Sequence, residues 1–540
     1  MNYKKLGWLG GTAVVIAAVV ALPVVSVVLS VFSGAGDTWR HLAATALPRY
    51  VGNTALLLAL VTFGVVSIGV VSAWLVTAYR FPGRGVLEWA LLLPLAMPAY
   101  VMAYAYTDWL QFTGEVQSAL RSLTGWRARE YWFPEVRSLP GAAVMLSFAL
   151  YPYVYLVART AFLDLSRSAI EAARLAGYGP LGAFGRVAVP LARPAIAAGS
   201  ALALMETLAD FGTVSYFGIE VFTTGIFKAW LSMGDSVAAA QLSACLLGFV
   251  VLLLALERVN RGRAAYHGPA PRRSRPHQLH GAASAAAFTA CAAPVVFGFA
   301  LPAVLLGRLA WEESIPAARL GVLVGNSFSI AALTAFIAAA AALVMAYAAR
   351  LTRSRLVAMA NRMAGLGYAV PGAVIAVGVL VPLGRLDNAL AGWLEQAFGM
   401  KPGLLLTGTI AALVYAYLVR LLAVSLQTTN AGLAKITPSM EDAARSLGAP
   451  PAATLARVHV PLLAPSLATA TLLVFVDVLK ELPATFALRP FNFDTLAVEA
   501  YNLAKDERLA EAAAPSLALV AAGLLPVIYV SKRYFQATRS

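Results

Sequence analysis

"EDAARSLGAPPAATLARVHVP", residues 441–461, is a polar interruption in a strongly apolar chain. It carries four ionised side chains (Glu441, Asp442, Arg445, Arg457), two adjacent prolines and a glycine. Apolar runs long enough to cross a bilayer lie on both sides of it. A connection between two membrane helices does not require so structured a segment, and the segment is not unique. At a shift of 271 positions, "EAARLAGYGPLGAFGRVAVPLARPAI" (171–196) aligns without gaps to "DAARSLGAPPAATLARVHVPLLAPSL" (442–467). Eleven of twenty-six positions are identical, among them Gly177/Gly448, Arg186/Arg457 and Pro190/Pro461. At a shift of 273, "VGNT" (51–54) meets "VGNS" (324–327), and Pro98 meets Pro371.

Composition sets the surroundings of this repeat. The 540 residues are 60% hydrophobic and 12% charged, with a mean hydropathy of +0.75. Soluble domains average about 25% charged residues, so the chain reads as a polytopic membrane protein. The formal charge of +15 is dispersed as Lys and Arg in short segments between apolar runs. That arrangement is a topology signal and argues against a nucleic-acid partner. Cys245 and Cys291 fall in apolar runs without metal-like spacing and read as buried free thiols.

A crossing helix needs about 20 apolar residues. Runs near 9–32, 52–79, 89–112, 141–163, 194–217 and 239–258 satisfy this in the first half. Those near 282–307, 320–349, 363–384, 402–426, 465–488 and 513–531 do so in the second. The first run is too long for a signal-peptide core and counts as a helix. Positive residues at Lys4/Lys5, Arg80/Arg84, 258–275, Arg353/Arg355/Arg362 and Lys532/Arg533 belong inside, which places both termini in the cytoplasm. The loop 113–140, with Arg121, Arg127, Arg129 and Arg137, conflicts with its assigned outer side; Glu115, Glu130 and Glu135 reduce the conflict. Six spans per half is an even number, so the two copies enter the membrane in the same sense. The expectation is an all-α polytopic membrane protein of about 12 transmembrane helices in two parallel six-helix repeats, 1–258 and 282–540. An Arg/Pro/Gly-rich cytoplasmic linker, 259–281, joins them. His267, His277 and His280 lie there among arginines that would repel a cation, so no metal site of high affinity is expected.

In each copy of the repeat an acidic residue and two alanines open a helix (Glu171, Ala172, Ala173; Asp442, Ala443, Ala444, with Glu441 preceding). Gly177 and Gly448 offer a turn at positive φ. A second helical stretch follows, and Pro190 or Pro461 suits the first turn of the next membrane helix. The product is a small-residue helix–turn–helix at the cytoplasmic mouth, with loops bounded at 164–192 and 430–463. An amphipathic interfacial linker is the simpler alternative, and the matched duplication argues against it. Within the membrane, Glu206 and Asp210 lie four apart, as do Asp477 and Glu481 at the corresponding positions. Each carboxylate at a helix centre costs ~2.5–3.5 kcal/mol on insertion scales, so idle ones are not retained cheaply. Gly212 and Pro483 follow and are positioned to break both helices. Four acids near a pseudo-twofold axis suit a cationic cargo with hard-oxygen preference, or a structural network neutralised by Lys480. Tyr100, Tyr104 and Asp108 share a face and offer oxygen ligands or ordinary aromatic packing.

The pattern E-A-A, three residues, G, nine residues, V-x-V-P (171–190) resembles the loop signature of binding-protein-dependent ABC importer permeases. The second copy departs only in having Asp442 at the glutamate position. That resemblance implies a coupling helix docked on a cytoplasmic ATPase dimer, and a periplasmic substrate-binding protein delivering cargo at a bacterial inner membrane. The chain has no G-x-x-x-x-G-K-[ST] phosphate loop, so it is expected to bind no cofactor and to leave ATP/Mg to its partner. Residues 205–230 and 474–513 look like the fused permeases of ferric iron importers; related fused permeases carry thiamine. A secondary transporter is the alternative, with no obvious need for two such loops. A membrane enzyme lacks a nucleophile–base pair here.

Overall fold

The computed structural model describes residues 7–34, 36–127, 130–164, 173, 175, 177–261, 276–313, 315–352, 354–400 and 403–539, apart from the side chains of 261, 438, 445 and 530–539. Among the described residues, eleven helices are long and apolar enough to cross a membrane, or twelve if one bent pair is a single crossing. Helices are the solution because a backbone in hydrocarbon must satisfy its own hydrogen bonds.

The bent pair, Arg84–Ala96 and Ala99–Thr124 at 91°, replaces the straight span expected over 89–112. Pro98 lacks an N–H and forces the residue before it out of the helical region, and Met97 is extended with ψ 107°. The second half repeats the device: Val370 is extended at ψ 122° before Pro371, and the helix Gly372–Phe398 starts there. The spans expected at 194–217 and 465–488 are also displaced. Continuous helical stretches run over Pro180–Ala209 and Pro451–Lys480. Pro190 and Pro461 therefore do not open new helices. Each follows a single wide turn, Phe184–Ala188 or Leu455–His459. An i→i+5 turn ahead of a proline absorbs the missing donor and the ring without ending the helix.

The chain forms two compact units. One comprises 1–40, 226–247 and 317–499; the other comprises 41–225, 248–316 and 500–540. Each therefore includes the opening helix of the opposite sequence half. In the first unit, Trp8–Ser30 packs on Ala317–Leu351, Arg355–Ala364 and Gly372–Phe398. In the second, Leu139–Leu163 packs between Leu47–Ala78 and Val189–Ala209, and Gly281–Val295 and Leu301–Glu312 lean on the same unit. The end of the linker is tied there too: His277–Gln278 pairs in parallel with Tyr79–Arg80. Residues 262–275, with His267, lie outside the described residues. Large apolar side chains such as Phe63, Val304 and Phe336 are exposed along the spans, as a hydrocarbon surrounding permits.

Candidate coupling loops and membrane carboxylates

Glu171 and Ala172 of the first loop lie outside the described residues; Ala173 is buried and Gly177 has φ 81°. The second loop is described more fully. Its helix Pro438–Ser446 carries Glu441, Asp442, Ala443 and Ala444, and Gly448 follows with φ 78°. Both glycines close the same hydrogen-bonded turn, in which the next residue donates back five positions. Tyr178 N–H donates to Ala173 O at 3.0 Å, and Ala449 N–H donates to Ala444 O at 3.0 Å. This is the helix-ending geometry that demands a left-handed residue, and glycine takes it without steric cost. Beside the turns, Leu175 is 90% and Leu447 88% exposed.

The two acids at the head of the second loop are separated by their surroundings. Asp442 and Ala443 face solvent. Glu441 turns inward and receives a hydrogen bond from Nε of Arg350; its Oε1 lies 3.2 Å from Nε2 of the fully buried His459. Sequence reasoning grouped Glu441 with the docking residues and missed Arg350 and His459 altogether. The available signal was the mismatch between the copies. Thr77 stands where the second half has Arg350, and Ala188 where it has His459. In the first loop the anchor is aromatic instead, with Trp74 5.4 Å from both Phe162 and Phe184.

The four membrane carboxylates stand where the helices break. Val189–Ala209 ends and Gly212–Tyr216 begins; Val460–Lys480 ends and Pro483–Leu488 begins. Asp210 accepts from Val214 N at 3.1 Å and from the Thr213 hydroxyl at 3.0 Å. Glu481, buried, accepts from Ala484 N and Thr485 N, both at 2.9 Å, and from the Thr485 hydroxyl at 2.8 Å. Glu206 and Asp477 are half-buried one turn earlier. Glu206 and Asp210 belong to one compact unit, Asp477 and Glu481 to the other.

The aromatic face expected around Tyr100 divides. Tyr100 and Tyr104 are buried, 5.8 Å apart, and Tyr104 meets Tyr216 at 4.7 Å edge-on. Asp108 has the charges of Arg308, Glu115 and Glu312 as its electrostatic neighbours. Two arginines of the basic loop 113–140 are engaged, one within the loop region and one with a distant glutamate. Arg121 donates to Tyr131 and to the Phe112 carbonyl, and Arg137 holds Glu507 at 2.8 Å. A cavity of about 690 Å³ opens between them, lined by Thr107, Gln117, Glu135 and Arg137 among others.

A duplicated helical membrane fold, broken helices with internal carboxylates and a repeated small-residue loop together define a solute permease. The chain belongs to the binding-protein-dependent transport system inner membrane components, whose pattern matches residues 65–262 and again 338–531. It is 26% identical over 540 residues to the Fe(3+)-transport system permease protein FbpB 2 of Haemophilus influenzae, covering 98% of this chain and 99% of that protein. The probable ABC transporter permease protein y4fN of Sinorhizobium fredii is 24% identical over 515 residues, 89% of this chain and 86% of its own length. The sulfate transport system permease protein CysT of Escherichia coli is 30% identical over 196 residues, 34% of this chain and 66% of its own. The chain is thus an inner membrane, multi-pass permease of the ABC transporter class.

Proposed function

We propose that the chain forms the whole transmembrane part of an ATP-driven importer that takes ferric iron from a periplasmic binding protein and releases it into the cytoplasm. The observation that carries the ATP-driven part is the duplicated loop. Each copy ends its helix at a positive-φ glycine and presents an uncovered leucine beside it, a knob of the kind that fills a partner's groove. Two loops imply two ATPase subunits, with ATP and Mg held by them. The positive-inside pattern supports cytoplasmic termini and cytoplasmic loops.

The cargo reading is supported by the full-length likeness to a permease named for Fe(3+) transport. A trivalent cation crossing a region of low dielectric needs compensating charge, and Glu206, Asp210, Asp477 and Glu481 supply four carboxylates in the two halves. Passage requires weak, transient contact, because a tight site would trap the ion. The test is ATP hydrolysis by the reconstituted complex with ferric-loaded or thiamine-loaded binding protein. Stimulation by the ferric form alone, with vanadate-sensitive uptake, is expected. Stimulation by the thiamine form would overturn the cargo, and vanadate-resistant uptake would overturn the ATP-driven reading.

A further inference from the structure

Arg350 occupies the end of Ala317–Leu351 and spends its whole guanidinium on other elements. Nε donates to Glu441 in the helix Pro438–Ser446. One terminal nitrogen donates to the Leu433 carbonyl and the other, at 2.6 Å, to the Ile436 carbonyl, where Ile410–Leu433 has just ended. Glu441 in turn faces His459 in the wide turn that leads into Val460–Lys480. Tyr347, one turn before Arg350, packs edge-on against His459 at 5.1 Å and donates its hydroxyl to Pro451 O at 2.9 Å. The four side chains are buried or nearly so; Tyr347 and His459 are fully buried, Glu441 is 12% and Arg350 17% exposed. One ionic junction therefore ties the loop helix to the ends of three membrane helices.

A planar guanidinium forked between a carboxylate and two carbonyls has one arrangement, unlike a lysine. A loop fixed this way cannot move without carrying the helices with it. Resting on the coupling reading above, we propose that Arg350, Glu441 and His459 are positioning residues that transmit displacement of the second loop to Ala317–Leu351, Ile410–Leu433 and Val460–Lys480. The first loop, with Thr77 and Ala188 at the matching positions, lacks this route among the described residues.

The experiment compares Arg350→Gln, Arg350→Lys, Glu441→Gln and His459→Gln in the full complex with the ATPase and ferric-loaded binding protein. Association by pull-down and the number of cargo ions moved per ATP are measured together. Association should persist while cargo per ATP falls at least about fivefold for Arg350→Gln and Glu441→Gln, with Arg350→Lys intermediate. Thr77→Val should leave the ratio at its wild-type value. A wild-type ratio in Arg350→Gln and Glu441→Gln overturns the proposal, and so does loss of folded protein in all four variants, which would assign the junction to stability alone. Ala443→Arg, placed on the exposed side of the same helix, tests the coupling reading separately. If it leaves association intact, that reading fails whatever the junction does.

Discussion

Asp210 and Glu481 hold the same post 271 positions apart: each ends a membrane helix, and its carboxylate caps the short helix beyond the break. The backbone N–H groups freed at a break inside hydrocarbon have no water to turn to, so an acceptor there is worth keeping for structure alone. On the proposed cargo path, passage and capping would meet at the same atoms, and neutralising the two residues is not one experiment performed twice.

Asp210→Asn should be the milder change. The amide oxygen can keep the bond from Val214 N–H, and the Thr213 hydroxyl can rotate to accept from the new NH2. Glu481→Gln must turn an NH2 toward Ala484 N–H or Thr485 N–H, which opposes donor to donor. That variant should lose about 1–3 kcal/mol, the cost of a buried donor left unmade. Detergent-solubilised yield and melting temperature, read beside iron uptake per folded molecule, separate the effects. Folded Asp210→Asn with normal uptake would remove Asp210 from the cargo path.

Much of this was legible in the sequence. Most of the spans, the fusion of two homologous halves and the glycine turns follow from hydropathy, a repeat at fixed offset and the demand for positive φ; the 91° break at Pro98 does not. Residues 177 and 448 show why such features can be read: the requirement is local. The helix boundaries at 190 and 461 were not legible, because a proline opening a helix and a proline behind a wide turn look alike in sequence. Arg350 and His459 were missed because their meaning is tertiary. They are 109 positions apart and acquire a role only when Glu441 turns between them. The exchange of opening helices between the compact units is equally non-local.

Gly199 and Gly69 grip one turn of Leu139–Leu163 from opposite neighbours. A Cβ at Gly199 would lie 2.8 Å from Val154 Cα, and one at Gly69 would lie 2.8 Å from Val154 Cβ and 3.0 Å from Tyr151 O. Small residues that let helix backbones approach are the main packing device available in a membrane. Gly199→Val should therefore destabilise by at least about 1–3 kcal/mol, the usual cost of overpacking, because backbone rather than a flexible side chain must move. A lowered melting temperature for Gly199→Val, with Gly248→Val (open space) as control, is the expected result; equal melting would contradict this packing.

Acid should loosen the Arg137–Glu507 contact. The Arg137 guanidinium, bonded through both terminal nitrogens at 2.8 and 2.9 Å, holds the Glu507 carboxyl below its ordinary value of 4.5. A carboxylate depressed in the folded state contributes stability above its unfolded pKa and loses it as pH falls through the lower, folded one. The contribution is thus complete above about pH 5 and declines below 4.5. Because Glu507 is largely exposed, screening limits the effect to roughly 0.2–1 kcal/mol. Melting curves of the native protein and Glu507→Gln should differ at pH 7 and converge near pH 3. A constant difference across that range would show that the ion pair contributes nothing.

Severing the chain within 262–275 should leave a working permease. Those residues precede the paired His277–Gln278, so the cut spares the bridge to Tyr79–Arg80 and the bond from Leu279 N–H to Arg80 O at 2.9 Å. Beyond it, Gly281–Val295 and Leu301–Glu312 bury Cys291, Leu305, Leu306 and Leu309 within the unit formed mainly by 41–225. A covalent connection between two parts adds an effective concentration on the order of millimolar. Two fragments confined to one bilayer, with this crossing, Gly281–Glu312, packed on the opposite fragment, do not need that contribution. Co-expressed fragments 1–261 and 276–540 should therefore copurify through a tag on either one and restore uptake to near the intact level. Fragments that fail to copurify would show that the connection drives assembly, and an assembled but inactive pair would give the linker a role in transport itself.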